Sequence, residues 1–253
     1  MSHSRFALAV VFVRVASLHV IEDDYPVDDP LYGRQKGYLE AINVPAAWSR
    51  LWRSKTVREK VTVAICDTGV SRHPDLVNNL VDGYNVADHN TNTTDTLGHG
   101  TKMAGVVGAT INNKLAIAGV ADLVIDAVDY AIRNQKTKNI KIVVMANSCR
   151  VLTEEYIRKF READAAGLLM IVTAGNEGLY NRQQTLSLPS KMQIRGTSNF
   201  ANYLDIAAPG DQIITTTMDS SVDIMAGTSP AAALVAGVAA MLSSISPDLP
   251  AKL

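Results

Sequence analysis

The stretch Val61-Thr62-Val63-Ala64-Ile65-Cys66-Asp67-Thr68-Gly69 decides the fold: an unbroken run of β-branched, apolar and small residues leads into a carboxylate and then a glycine turn. A run of that length without polar alternation, stopped by turn residues, marks a strand covered on both faces, as in a parallel sheet between helices. Working outward, apolar runs at Ile140–Ala146 and Leu168–Thr173 predict two more strands. Helical patterns fit His99–Gly108, Leu123–Arg133, Thr153–Ala165 and Ser229–Ser244, joined by loops rich in Asn, Thr, Gly and Asp. The alternation predicts an α/β fold of three layers, a mostly parallel sheet flanked by helices. A polar, proline-punctuated stretch from Glu22 to Gly37 precedes it, which divides the chain into an amino-terminal segment, 1–27, and one domain, 28–253. No internal repeat and no second domain stand out.

With 253 residues, 47% hydrophobic content and a net charge of −1, the chain reads as a soluble domain with material for a substantial core. Lysine and arginine nearly balance aspartate and glutamate, which argues against a nucleic-acid partner. The two cysteines, Cys66 and Cys149, give no disulfide framework, and Cys66 reads as a small core residue, a Cys66–Cys149 bridge being the less favoured alternative. Near the start, Ser4-Arg5 precedes Phe6–Val13, an apolar octet with the length of a secretory signal core, interrupted by Arg14. It reads equally as a signal segment and as a strand, and it is too short to span a bilayer. Asn92-Thr93-Thr94 is a glycosylation sequon, usable only on export.

Three short segments carry chemistry. Asp67 ends the first strand, where it either closes an Asx turn or orients a histidine from the carboxyl edge of the sheet. Asp-Thr-Gly is also the motif of aspartic proteases, but that mechanism needs two carboxylates sharing a proton, and no second Asp-Thr-Gly or Asp-Ser-Gly occurs. His99 stands between Gly98 and Gly100 at a predicted helix start, exposed for proton exchange near neutral pH; no other histidine lies at a zinc-binding spacing. Ser229 precedes Pro230 and an Ala/Val/Leu-rich run, so taken alone it reads as a helix N-cap.

Taken together, Asp67-Thr68-Gly69, Gly98-His99-Gly100-Thr101 and Gly227-Thr228-Ser229 resemble the signature blocks of the subtilisin-like serine proteases, whose acid–base–nucleophile order is established. A fourth block, Leu168–Asn176, resembles the one that ends in the family's oxyanion asparagine. The resemblance implies that Ser229 attacks the peptide carbonyl, His99 takes and returns the proton, Asp67 orients His99, and Asn176 joins the Ser229 N–H in holding the oxyanion. It further implies substrate contacts at Ser148, Thr173, Ala174 and Gly175, with Glu177 nearby, and a peptide or protein substrate. His73-Pro74-Asp75-Leu76 follows the first block as in the family, and Ile111–Ile117 is similar to its calcium loop. A structural calcium ion is implied there, held by Asp29, Asp75, the Asn113 side chain and the carbonyls of Ile111, Leu115 and Ile117, an oxygen-only set that suits this cation.

The chain also departs from the family. After Gly119-Val120-Ala121-Asp122 a core strand and a substrate-lining loop are missing, and a second central strand is expected between Ser190 and Ser198. The cleft segment Asn147-Ser148-Cys149-Arg150 lacks the family's glycine. Val20–Tyr25 resembles only the end of an inhibitory propeptide, and the chain stops before the usual last helices. The expectation is therefore a reduced subtilisin-like sheet with truncated ends, and a secreted or extracellular serine endopeptidase. The alternative is an inactive remnant of the family that acts as a binding protein. Orphaned neighbours of a missing strand would cost about 1–3 kcal/mol per buried group, so the gaps must be closed by re-pairing.

Overall fold

The computed structural model describes residues 9–15, 27–53, 60–113, 126–146, 154–176, 198–199 and 205–249. In chain order these form β1 (Ala9–Val15), α1 (Tyr32–Ala41), α2 (Val44–Arg53), β2 (Val61–Asp67), β3 (Leu80–Asn85), α3 (His99–Gly108), α4 (Asp126–Lys138), β4 (Ile140–Met145), α5 (Glu154–Ala165), β5 (Leu169–Val172), β6 (Ile213–Thr216), β7 (Val222–Met225) and α6 (Thr228–Ile245). The main sheet has the order β3-β1-β2-β4-β5, and β6 and β7 make a separate hairpin. Strands β2, β4 and β5 are parallel, as the apolar runs predict. β1 is antiparallel to both of its neighbours, β2 and β3.

Every residue of β2 is buried, and Val63, Ala64, Ile65 and Cys66 have no exposed surface. This is the burial the unbroken apolar run calls for. Helices α3 and α6 pack together and against β2, while α4 and α5 form a second pair against the sheet. The alanines of α6 allow close approach, and Ala231, Ala233, Ala236 and Ala240 are fully enclosed. By length and composition α6 is apolar enough to cross a membrane, yet more than half of it is buried in the fold. Cys66 is a buried thiol; Cys149 lies outside the described residues.

One boundary needs correction, and one strand was not foreseen. α4 continues past Arg133 to Lys138, because no breaker intervenes before Asn139, whose φ of 50° turns the chain into β4. The predicted start at Leu123 lies outside the described residues. β3 escapes the apolar criterion because Asp82-Gly83 sits in its middle and most of it is half-exposed.

Candidate active site

The carboxyl ends of β2 and β4 lie side by side, the edge where functional groups gather in parallel sheets. Asp67 is the last residue of β2 and is wholly buried. Its Oδ1 accepts the Thr68 N–H at 2.7 Å. His99 opens α3 and its Nδ1 lies 2.9 and 2.8 Å from the two Asp67 oxygens. A carboxylate only accepts, so Nδ1 carries the proton and Nε2 is left as the acceptor of the neutral ring. Gly100 permits this approach: a Cβ there would run into the Gly69 carbonyl and come within 3.1 Å of the Asp67 Cβ.

A second carboxylate locks the two segments together. Asp95 Oδ1 accepts from the Thr68 hydroxyl at 2.7 Å and from the N–H groups of Leu97 at 3.0 Å and Gly98 at 2.8 Å. Its Oδ2 accepts the Thr101 N–H at 2.8 Å and hydroxyl at 2.6 Å. The Thr68 hydroxyl accepts the Gly100 N–H at 3.0 Å, which closes the circuit. Burial raises the Asp95 pKa, but the hydrogen bonds from Thr101, Thr68 and Gly98 outweigh it and hold the carboxyl below its ordinary value. Sequence reasoning passed over Asp95; its signal is an acid just ahead of a helix start, where first-turn N–H groups need an acceptor.

For His99, burial disfavours the cation, but the hydrogen bond and charge of Asp67, with the charge of Asp95, more than offset burial and the opposing Lys102. The imidazole pKa therefore lies above its ordinary value.

Ser229, in the first turn of α6, is nearly buried, and its Oγ donates to the carbonyl of Ala146 at 2.7 Å, just beyond β4. The structure thus brings Ser229 to the strand next to Asp67, but no hydrogen bond joins Ser229 to His99 among the described residues. Asn176 lies beyond β5 and its Oδ1 accepts the Thr228 N–H at 2.8 Å. With the oxygen turned to that donor, the Nδ2 group remains to donate elsewhere. Gly227, at φ 140°, passes so close that a Cβ would sit 3.3 Å from Asn176 Oδ1. Pro230 has no N–H, and the N–H of Ser229 lies in the first helical turn, where it has no intrahelical acceptor.

Thr173, Ala174 and Gly175 link β5 to Asn176; the Thr173 N–H donates to Met145 O at 3.0 Å and Gly175 O accepts the Asn199 N–H at 3.1 Å. The Thr173 hydroxyl is buried without a partner among the described residues. Ser148 and Glu177 lie outside the described residues.

Of the residues implied for calcium, Asp29, Asp75 and Asn113 come together, with Ile111 just ahead of the Asn112 N–H that Asp29 accepts, while Leu115 and Ile117 lie outside the described residues. Asp29 accepts the N–H groups of Asn112 at 2.9 Å and Asn113 at 3.2 Å, and Asn113 Nδ2 contacts Asp75 Oδ1 at 2.6 Å. Both acids are buried. Burial pushes the Asp29 pKa up to about 6; the Asn112 and Asn113 N–H groups oppose this, and the charges of Asp75 and Asp28 add to it. No group of three or more His, Cys, Asp or Glu side chains suited to a metal occurs among the described residues, so a cation here would depend on amide and main-chain oxygens as well.

The sequence model of the Subtilase family matches residues 58–252. Thermitase of Thermoactinomyces vulgaris is 30% identical over 87% of this chain and 86% of its own length. The major intracellular serine protease of Bacillus subtilis (strain 168) is 28% identical over 81% of this chain and 74% of its own. Among solved structures, a protease of Pseudoalteromonas arctica PAMC 21717 superposes with a TM-score of 0.73 at 24% identity, covering 90% of this chain and 89% of that one. A cold adapted subtilisin-like serine proteinase gives 0.61 at 23% identity, over 76% of each chain. These two likenesses establish the fold.

Proposed function

Since the chain belongs to the subtilase family, we propose that it is a serine endopeptidase in which Asp67, His99 and Ser229 act as the hydrolytic triad and Asn176 supplies an oxyanion donor. The observation that carries the reading is the pairing of His99 Nδ1 with buried Asp67 at 2.8 Å, at the sheet edge where Ser229 meets the end of β4. The Ser229 hydroxyl has one proton and donates it to Ala146 at rest; in reaction it turns to His99 Nε2. Oγ then attacks the peptide carbonyl carbon as Nε2 takes the proton, and the imidazolium is stabilised by Asp67. Nε2 returns the proton to the departing amine, and water repeats the sequence on the acyl-enzyme. The oxyanion lies between Asn176 Nδ2 and the Ser229 N–H. Thr173, Ala174 and Gly175, with Ser148, line the path of the peptide substrate. The family includes intracellular members, one relative being named so.

A fluorophosphonate probe tests this directly. Labelling of the parent that vanishes in Ser229→Ala supports the triad; a folded parent that takes no label sinks it in favour of an inactive remnant. Because Ser229 needs neutral His99, labelling should rise through a pKa above that of an ordinary histidine.

Calcium belongs to the same reading, with Asp29, Asp75, the Asn113 amide oxygen and main-chain carbonyls including that of Ile111 as ligands. Two buried acids that share Asn113 as a partner, one with its proton held up to about 6, are the groups a divalent cation would relieve. The raised pKa means protonated Asp29 favours the fold below its ordinary value, and that contribution fades as pH rises through about 6. Added calcium should accordingly raise Tm more above pH 6 than below it; an equal gain at both would remove Asp29 from the ligand set.

A further inference from the structure

The slot between β2 and β3 is filled from the far amino-terminal part of the chain. β1 pairs with β2 along its whole length, from Ala9 opposite Asp67 to Val15 opposite Val61, and with β3 from Ala9 opposite Asn85 to Val13 opposite Leu80. Between β1 and β2 the chain makes a long excursion through α1 and α2. The family resemblance implies a core strand missing after Gly119-Val120-Ala121-Asp122, and an antiparallel strand can fill such a gap without a crossover helix.

We propose that β1 is a complementing strand bound in cis, that the β2–β3 slot is its binding site, and that its insertion positions the Asp67 carboxylate for His99. β2 is entirely buried, so an empty slot would leave one row of its N–H and C=O groups without partners in the core. Because β1 runs antiparallel, its amino end lies beside Asp67, and α3, which carries His99, packs near it. β1 therefore restrains the last residue of β2 on the side away from β4.

This inference rests on the reading of Ser229 as nucleophile only for its activity test. The first measurement is hydrogen exchange on the intact protein. As a central strand, 9–15 should exchange about 10³-fold or more slowly than a free peptide, together with β2; exchange at free-peptide rates would overturn the proposal. The second is Phe12→Pro, which removes a main-chain N–H and fixes φ in the middle of β1, compared with Phe12→Leu, which does neither. Phe12→Pro should label at least about ten-fold more slowly. Around His99 stand Asp67, Asp95 and Lys102, and only Asp67 is reached through β1. Displacing it should move the acid limb of labelling to lower pH, a change that general loosening would not produce. A Phe12→Pro variant that folds and labels with the parent's rate and pH profile overturns the positioning role. If the proline variant does not fold while Phe12→Leu does, protection of 9–15 decides the matter. A parent that protects β1 but takes no label refutes the triad and leaves the completed sheet standing.

Discussion

The two halves of the proposed triad, the acid–base pair and the nucleophile, are built differently. Asp67 and His99 sit within a closed circuit of side-chain bonds through Thr68, Asp95, Gly100 and Thr101. Among the described residues, Ser229 and Asn176 are each held by one side-chain bond to the main chain, to Ala146 O and from Thr228 N respectively. The first half is fixed in one arrangement; the second can change its donor pattern by turning one hydroxyl. A proton relay needs fixed distances in the resting state, whereas a nucleophile must move between its base and the substrate carbonyl.

Asp67→Asn attacks the rigid half at its centre and should lower kcat by about 10⁴-fold, the scale known for such a change in a serine protease, because the amide reverses the donor sense at Nδ1. Its residual activity should have an acid limb at lower pH than the parent; an unmoved limb would mean that Asp67 does not set the His99 pKa. On the adaptable side, Asn176→Ala should cost about 10²–10³ in kcat with KM little changed, as found for the corresponding donor in subtilisin. A loss expressed mainly in KM would make Asn176 a substrate clamp instead. Asp95→Asn sharpens the contrast. It leaves the triad atoms in place but weakens charge-assisted bonds to Thr68 and Thr101, so stability should fall by about 2–3 kcal/mol while kcat falls about ten-fold or less. Urea titration beside steady-state kinetics separates the two effects.

The same contrast governs what the sequence discloses. α3 begins and ends at the residues predicted, since Gly98 caps it in a left-handed φ of 86° and a side chain at Gly100 would run into the Gly69 carbonyl. β2, β4 and β5 were legible because burial on both faces requires an unbroken apolar run. β6 and β7 are only four residues each, too short for a periodic signal, and α1 has no apolar stripe. The apolar octet Phe6–Val13, which overlaps β1, was legible as either a signal core or a strand; its place between β2 and β3 was not, because that depends on partners more than forty residues away. Likewise, Ser229 could be recognised from its block, whereas the Ala146 carbonyl that receives its proton follows from the tertiary path of β4 alone.

All five strands of the main sheet precede α6 in the chain, and Ser229 rides on α6. On a ribosome the proposed acid and base therefore emerge well before the proposed nucleophile, and the long apolar helix that carries it docks onto a sheet already synthesised. Until that docking the proposed triad is incomplete. A peptidase arranged in this order would gain the proposed triad only once α6 has found its shelter on the sheet.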